Sequence, residues 1–165
     1  MRKLFLLVCL LSSICSVTAG NKKQQKKADA DTQTFRYELE YIKSSGTGLV
    51  NVKVWGFSKN PNIAIEQAQK NALHGVIFKG YAGAGSTQPP IVKDATALIT
   101  HAAFFDSFFD EGGEYMRYVS GTIGSPDIIK VNKEFKVGTI VQVNVALLRA
   151  HLEKAGIIRG LSSGF

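Results

Sequence analysis

The sequence predicts a single α+β domain, in which an antiparallel or mixed sheet of about four to five strands carries two to three helices on one face. Segments in which apolar and polar residues alternate strictly, the period of half-buried strands, occur both before and after the middle of the chain. Segments with helical spacing of apolar residues lie between them and near the end. The order strand, strand, helix, helix, strands, helix is typical of α+β proteins, and we expect the domain to occupy residues 35–165.

The first two strands are predicted to form a hairpin. In FRYELEYI the aromatic and apolar residues occupy every second position: Phe35, Tyr37, Leu39 and Tyr41. The segment LVNVKVWGF alternates in the same way, with valines on one side and Asn51, Lys53 and Trp55 on the other. Because the turn residues SSGTG separate the two segments, they are expected to pair as antiparallel neighbours.

A long helix is predicted after this hairpin. Asn60 can cap it, Pro61 suits the first helical position, and Gly80 can close its C-terminus. At about 100° per residue, small residues form one strip along the helix: Ala64, Ala68, Ala72 and Gly75. This strip is expected to face the sheet closely. The opposite, polar side is predicted to carry Glu66, Lys70 and His74.

The segment YAGAGSTQPP, residues 81–90, is predicted to be a loop because it is rich in glycine and proline. Its glycines follow a helix and lead to a proline pair, whereas phosphate-binding loops run from a strand into a helix and end in Lys-Ser/Thr. No nucleotide cofactor is therefore expected.

A second helix is predicted over Asp94–Glu111, ending at a glycine pair, and it contains the segment THAAFFDSFFDEGGEY. At helical spacing, four phenylalanines span an arc of roughly 140° with His101 near its middle: Phe104, Phe105, Phe108 and Phe109. Asp106 and Asp110 point away from His101, which excludes a His–Asp pair within this helix. Two interpretations stay open for the phenylalanines, a part of the core or an exposed docking face.

Two or three strands and a last helix are predicted after the glycine pair. The strand segments are EYMRYVSGTI, DIIKV and FKVGTIVQVNV. Asn144 can cap a helix over Val145–Ala155, whose inner face is expected to hold Leu148, Leu152 and Ala155.

The N-terminus has the pattern of an export signal. A basic start, an apolar run and the small-x-small motif VTA predict a signal peptide over residues 1–19 and cleavage after Ala19. The apolar run is shorter than the ~20 residues that a membrane-spanning helix needs. Lipid attachment at Cys15 is the alternative. Both cysteines lie within the signal, so we expect a periplasmic or secreted domain without disulfides.

Residues 20–34 are predicted to be a disordered polar tether. The alternative is that its lysines make weak contact with anionic surfaces: Lys22, Lys23, Lys26 and Lys27. From residue 28 onward, fourteen basic residues are balanced by thirteen acidic ones. The domain is therefore not strongly basic, and nucleic acid is not an expected partner.

The sequence contains no specific catalytic or metal motif. The histidines lie on three separate predicted elements, and no closely spaced ligand pair such as H-x-x-x-H or C-x-x-C exists, so neither a metal nor another cofactor is expected. A G-x-S-x-G elbow is also absent from the sequence. His101 is a candidate general base beneath the Gly/Pro loop, because imidazole titrates near neutral pH. The alternative is a neutral histidine with one hydrogen-bonded ring nitrogen.

Three segments resemble a group of uncharacterised secreted proteins of Gram-negative bacteria: VWGFSKNPNIAIEQAQKNALHGVIFKG, FFDSFFDEGGEYMRYV and LLRAHLEKAGIIRGLSSGF. More distantly, the hairpin, the helix with spaced alanines and the closing Leu-x-x-x-Leu helix are similar to small periplasmic modules of flagellar-assembly proteins and outer-membrane lipoproteins. The resemblance implies a role in binding and assembly, without catalytic residues.

We therefore expect a non-enzymatic, exported envelope module whose partner is another envelope protein or a second copy of itself. The alternative is a small hydrolase or ligand-binding protein, with a pocket between the Phe-rich helix, Trp55 and the Gly/Pro loop. The candidate interaction or pocket residues are Trp55, Tyr81, His101, Phe104, Phe105, Phe108, Phe109 and Tyr115.

Overall fold

The computed structural model of the chain describes residues 35–160. The predicted signal peptide, the tether, the alternative lipidation site Cys15 and residues 161–165 lie outside the described residues. Within the described part, no helix combines the length and the apolar character needed to cross a membrane.

The described residues form strands and helices in the following order. The strands are β1 (Tyr37–Ser44), β2 (Leu49–Ser58), β3 (Tyr81–Gly83), β4 (Ser86–Gln88), β5 (Val119–Val131) and β6 (Glu134–Asn144). The helices are α1 (Pro61–Phe78), α2 (Ala97–Thr100), α3 (Ala102–Phe108) and α4 (Val145–Lys154), and a 3₁₀ helix covers Glu114–Tyr118.

The described strands form one mixed sheet of six strands in the order β4-β3-β1-β2-β6-β5. β1 with β2, β2 with β6, β5 with β6 and β3 with β4 are antiparallel, and β3 runs parallel to β1. The predicted α+β class, the mixed sheet and the first hairpin are confirmed. The sheet has more strands than the four to five expected, because a short hairpin adds to one edge.

The side chains of the central strand β2 show that the sheet has two different faces, a core face and an open face. Val52 and Val54 are fully buried, and Val52 pairs with the equally buried Val141 of β6. The intervening residues Lys53 and Trp55 point to the other side, because successive side chains of a strand alternate between faces.

Helix α1 has the predicted caps. The side chain of Asn60 accepts a hydrogen bond from the Asn62 backbone N–H at 3.1 Å. At the other end the Gly80 N–H donates to the carbonyl of Gly75 at 2.8 Å, and Gly80 has a φ of +73°. Such a left-handed residue ends helices at little cost when it is glycine.

The small strip of α1 packs on the sheet as predicted, and its members are all buried: Ala64, Ala68, Ala72 and Gly75. A Cβ added at Gly75 would lie 2.8 Å from Leu39 Cδ2 and 3.2 Å from Tyr37 Cε2, well inside van der Waals contact. Glycine at this position therefore lets the helix axis approach β1.

The prediction of an irregular loop over residues 81–90 was wrong, because residues 81–88 form the hairpin β3–β4. Its two turn residues, Ala84 and Gly85, have φ values of +46° and +76°. Positive φ at both positions is typical of a type I′ turn, which is usually signalled by Asn-Gly or Asp-Gly. Alanine at the first position conceals this signal in the sequence.

The predicted helix over Asp94–Glu111 is instead two short helices, α2 and α3, separated at His101. His101 has φ −117° and ψ 32°, outside the helical region. Just before it, the Thr100 hydroxyl donates to the carbonyl of Thr96 at 3.2 Å, a local bond that competes with a continuing helix.

The expected two or three strands near the C-terminus are two, β5 and β6, and β5 contains two register shifts. Two details of this region were wrong. Glu114–Tyr118, expected within a strand, is 3₁₀ helix. In α4, Leu148 and Leu152 are fully buried as expected, but Ala155 is exposed. Ala155 lies at the C-cap, beyond the last residue that the helix directs toward the sheet.

Candidate functional site

The Phe-rich segment lies in the core. Three of its phenylalanines are buried and the fourth is partly buried against the same cluster: Phe105, Phe108 and Phe109, and then Phe104. The Phe105 ring meets Phe78 of α1 edge-on with 4.9 Å between ring centroids, and Phe108 stacks on Tyr118 at 5.8 Å. The three buried rings cannot form an exposed docking face, so only the core interpretation fits them.

His74 is buried, contrary to its predicted place on the polar side of α1. Its ring stacks on Phe35 with 3.6 Å between centroids and contacts Phe109, and its Nδ1 is hydrogen-bonded to the Tyr37 hydroxyl at 2.7 Å. Burial, aided by the charge of Lys79, lowers the pKa of His74 from 6.5 to about 4. The imidazole is therefore neutral at physiological pH. The sequence pattern missed this because aromatic rings from outside the helix cover this side of α1.

His101 is partly exposed at the junction of α2 and α3, and its ring makes no hydrogen bond to another residue in the described part of the chain. Asp94 lies near enough for His101 to help lower the pKa of that carboxyl, although hydrogen bonds from Thr96 are the main cause. A general base also needs a partner that orients its ring, and no such hydrogen bond to His101 is formed among residues 35–160; the Asp94 carboxylate accepts from the Thr96 amide and hydroxyl.

Trp55 lies on the open face of the sheet, away from the Phe-rich segment on the core face. The ammonium groups of Lys53 and Lys136 lie 4.4 Å and 5.2 Å from the centroid of its indole, and its Nε1–H donates to Glu40 at 3.4 Å. The predicted pocket between Trp55, the Phe-rich segment and residues 81–90 is not formed by the described residues. The sheet lies between Trp55 and the Phe-rich segment, and β1 lies between β2 and the β3–β4 hairpin. The two lysines also occupy positions on the indole that a stacked ligand would need.

Tyr81 lies beside a shallow open groove of about 400 Å³ between β1, the end of α1 and the β3–β4 hairpin. Tyr81 itself is buried and stacks on Tyr41 with 5.9 Å between centroids. Lys79 at the rim of the groove lies 4.0 Å from the centroid of the Tyr37 ring, and burial lowers its pKa. This groove contains only the Gly/Pro part of the predicted pocket.

Tyr115 is partly buried at the outer side of the aromatic cluster. Its ring lies 6.3 Å from Phe109, and the Lys70 ammonium lies 5.7 Å from the Tyr115 centroid. The candidate residues therefore divide among the core, the open face and the groove rather than forming one site. Among residues 35–160, no group of three or more His, Cys, Asp or Glu side chains converges as a metal site.

The surface that the sequence analysis missed is the edge strand β5. Its side chains Ile123, Ile128, Ile129 and Val131 are 41%, 50%, 49% and 42% exposed. Among the strands of residues 35–160, β5 has β6 as its one neighbour. The signal was available in the segment DIIKV, since two consecutive isoleucines in a strand must point to opposite faces.

Comparisons of the chain with protein-family models, with curated proteins and with solved structures gave no match. The resemblance to envelope modules stays a prediction.

Proposed function

We propose that this chain is a non-enzymatic binding module of the bacterial cell envelope, exported by its N-terminal signal, and that it acts by contact between β5 and another protein. The observation that carries the proposal is the set of exposed apolar side chains on the sheet edge, Ile123, Ile128, Ile129 and Val131. The signal pattern in residues 1–19 supports export.

An exposed sheet edge is a template for pairing with another chain, because its outward backbone N–H and C=O groups have no neighbouring strand. Proteins usually protect such edges with charges, prolines or short strands. β5 has thirteen residues and two register shifts, and Pro126 lies in the second shift. Its last part, from Asp127, nevertheless keeps regular pairing with β6 and two half-exposed isoleucines. Apolar side chains clustered at an unpaired edge are typical of an interaction surface.

The charges on the open face of the sheet also favour β5 as the contact surface. Lys136 forms an ion pair with Glu38 at 2.7 Å, and Arg36 forms one with Glu134 at 3.1 Å. These pairs neutralise the charges that flank Trp55 across the inner strands of this face. Exposed apolar side chains also lie on α2, the 3₁₀ helix and α4, but among residues 35–160 only β5 combines four of them with the edge of the sheet.

The test is site-specific photo-crosslinking in the native envelope. A photoreactive phenylalanine analogue at Ile129 on β5 is expected to give adducts with one defined protein. The matched control is the same analogue at Ile99 of α2, which is 80% exposed and far from the sheet edge in the chain. Equal adduct patterns from both positions, or adducts from neither, would contradict the proposal.

Export is tested separately by the mass of the mature protein. Cleavage after Ala19 gives a chain that begins at Gly20, whereas attachment of lipid at Cys15 gives a longer, heavier chain that partitions into detergent. An uncleaved cytoplasmic chain would contradict the envelope location.

A second candidate function, the binding of a small anionic ligand, is favoured by the groove beside Tyr81. The Lys79 ammonium donates to the Phe35 carbonyl at 3.4 Å and has no carboxylate within 4 Å in the described part of the chain. Tyr37, Leu39 and Pro89 supply apolar walls. A screen of aromatic carboxylates by amide chemical shifts tests it: shifts confined to this groove and lost in Lys79→Met favour ligand binding, and their absence removes it.

A further inference from the structure

We propose that the partner of β5 is an extended segment of another protein in which acidic and apolar residues alternate, and that it adds to the sheet as a strand beside Asp127–Val131. This inference rests on the proposed binding function and names the chemistry of the partner. It follows from the free edge, from the two faces of the strand and from the distribution of charge around it.

The pairable stretch has defined limits. Ile123 pairs with Ile140 and Asp127 with Gly138, so the residues between Ile123 and Asp127 exceed those on β6 and form an irregularity. This irregularity contains Gly124, with φ +72°, and Pro126, which has no N–H to donate. A neighbouring strand therefore begins at Asp127 and ends where the chain turns after Val131.

Both faces of this stretch offer apolar contacts. Ile129 lies opposite Lys136 and Val131 opposite Glu134, on the face that also carries Trp55. Ile128 lies opposite the buried Val137, on the core face of the sheet. An added strand in which acidic and apolar residues alternate would cover Ile129 and Val131 with its apolar side chains. Its acidic side chains would lie on the other face, which carries Ile128 and Lys130.

The charges select an acidic partner. The carboxylate of Asp127 is already paired with Lys53, and that of Glu134 with Arg36. Lys130 and Lys133 have no carboxylate within 4 Å among residues 35–160. Lys130 lies on β5 and Lys133 in the turn that follows it, so the end of the edge presents two ammonium groups with which carboxylates on the incoming strand would pair.

The same charges disfavour a second copy of this chain. A two-fold antiparallel pairing centred on Ile129 would bring the two Ile129 side chains together. It would also place the two Lys130 side chains on one face, two residues apart along the strands, where like charges repel. A separate acidic segment has no such conflict.

The test uses a seven-residue peptide with blocked ends, in which glutamate and valine alternate. The peptide is added to the protein in the form that the cell exports. Its matched control has lysine in place of every glutamate. Amide chemical shifts and hydrogen-exchange rates are expected to change for Asp127–Val131 with the acidic peptide only. The affinity is expected to fall as salt is raised, because surface charge pairs are screened.

A charge reversal, Lys130→Glu with Lys133→Glu, gives the decisive comparison. Both residues are exposed, so the fold is expected to persist, which far-ultraviolet circular dichroism checks. The variant is expected to bind the acidic peptide about tenfold more weakly and to prefer the lysine peptide, as two surface charge pairs are inverted. Equal binding of both peptides by the unaltered protein, or shifts that lie outside β5, would overturn the proposal.

Two other outcomes separate this inference from the proposed function. A dimer in sedimentation velocity that dissociates in Ile129→Asp would overturn the acidic partner in favour of a second copy and leave the binding role of β5 intact. Crosslinks from Ile129 to a non-acidic segment would do the same. Absence of any adduct at β5 in the envelope would remove the proposed function together with this inference.

Discussion

Replacing His74 with glutamine is expected to remove a large part of the pH dependence of folding stability. In the native protein the imidazole is enclosed by Phe35, Phe109 and the Tyr37 hydroxyl, and burial is the main cause that lowers its pKa to about 4. The unfolded chain binds a proton near the ordinary histidine pKa of about 6.5. Below about pH 6.5 the unfolded state therefore binds a proton at His74 more readily than the folded state does.

The sign and size follow from linkage. Because the folded pKa lies below the unfolded one, the stabilisation from His74 is fully present above about pH 6.5 and is lost as the pH falls toward 4. A difference of about 2.5 pKa units corresponds to about 3 kcal/mol of unfolding free energy, of which about 2 kcal/mol is lost by about pH 5. Glutamine does not titrate, so His74→Gln should lack this loss whatever its stability at pH 7.

The assay is urea unfolding, followed by circular dichroism at several pH values between about 4 and 7.5, with ΔG obtained by linear extrapolation. His101→Gln is the matched control, because it removes a histidine that lies outside the aromatic cluster. The control should keep the slope of the unaltered protein, and His74→Gln should flatten it. If His74→Gln and the unaltered protein lose equal stability between pH 7.5 and 4, the enclosed neutral imidazole is refuted.

Three further substitutions test the packing and caps by urea unfolding at pH 7. Phe108→Ala should lower the free energy of unfolding by about 3–5 kcal/mol because the ring is fully buried. Ile99→Ala, at an exposed site, should change it by less than about 0.5 kcal/mol. Similar effects of the two substitutions would contradict the core position of Phe108. Gly83→Ala should cost more than about 1 kcal/mol, since φ is +150° and a Cβ would lie 2.5 Å from the Tyr41 carbonyl oxygen, and a neutral result would reject that backbone geometry. Asn144→Ala should cost about 1 kcal/mol by removing the bond that its side chain accepts from the Leu147 N–H at 2.9 Å, and Asn144→Asp should restore most of it.

Local signals were sufficient for the elements whose pattern and caps agree. The structure confirms three predicted features of α1: the start at Asn60-Pro61, the end at Gly80 and the buried strip of small residues. The alternation in β2 likewise placed its valines in the core. Local signals failed where a residue departs from the usual choice, as Ala84 does at a turn position with positive φ.

The candidate site was harder to predict because it depends on contacts between distant segments. His74 has the spacing of a solvated residue on its own helix, yet Phe35, 39 positions earlier, and Phe109, 35 positions later, enclose it. Trp55 and the Phe-rich segment both suggest an interaction surface in the sequence, but the sheet lies between them. The hydrophobic periodicity of a helix or strand does not show which other helix or strand will pack against it.

By itself the sequence determined the α+β class, the first hairpin, the capped helices α1 and α4, and the burial of the small strip of α1 and of Leu148 and Leu152 in α4. These features depend on residues three or four positions apart or on alternate residues. Tertiary structure alone decided that the phenylalanines are core, that His74 is enclosed and neutral, and that β5 is the outer strand with half-exposed isoleucines. The physical reason is that burial and edge position are properties of the whole sheet. They are fixed only when residues far apart in the chain come together and some strand is left without a neighbour.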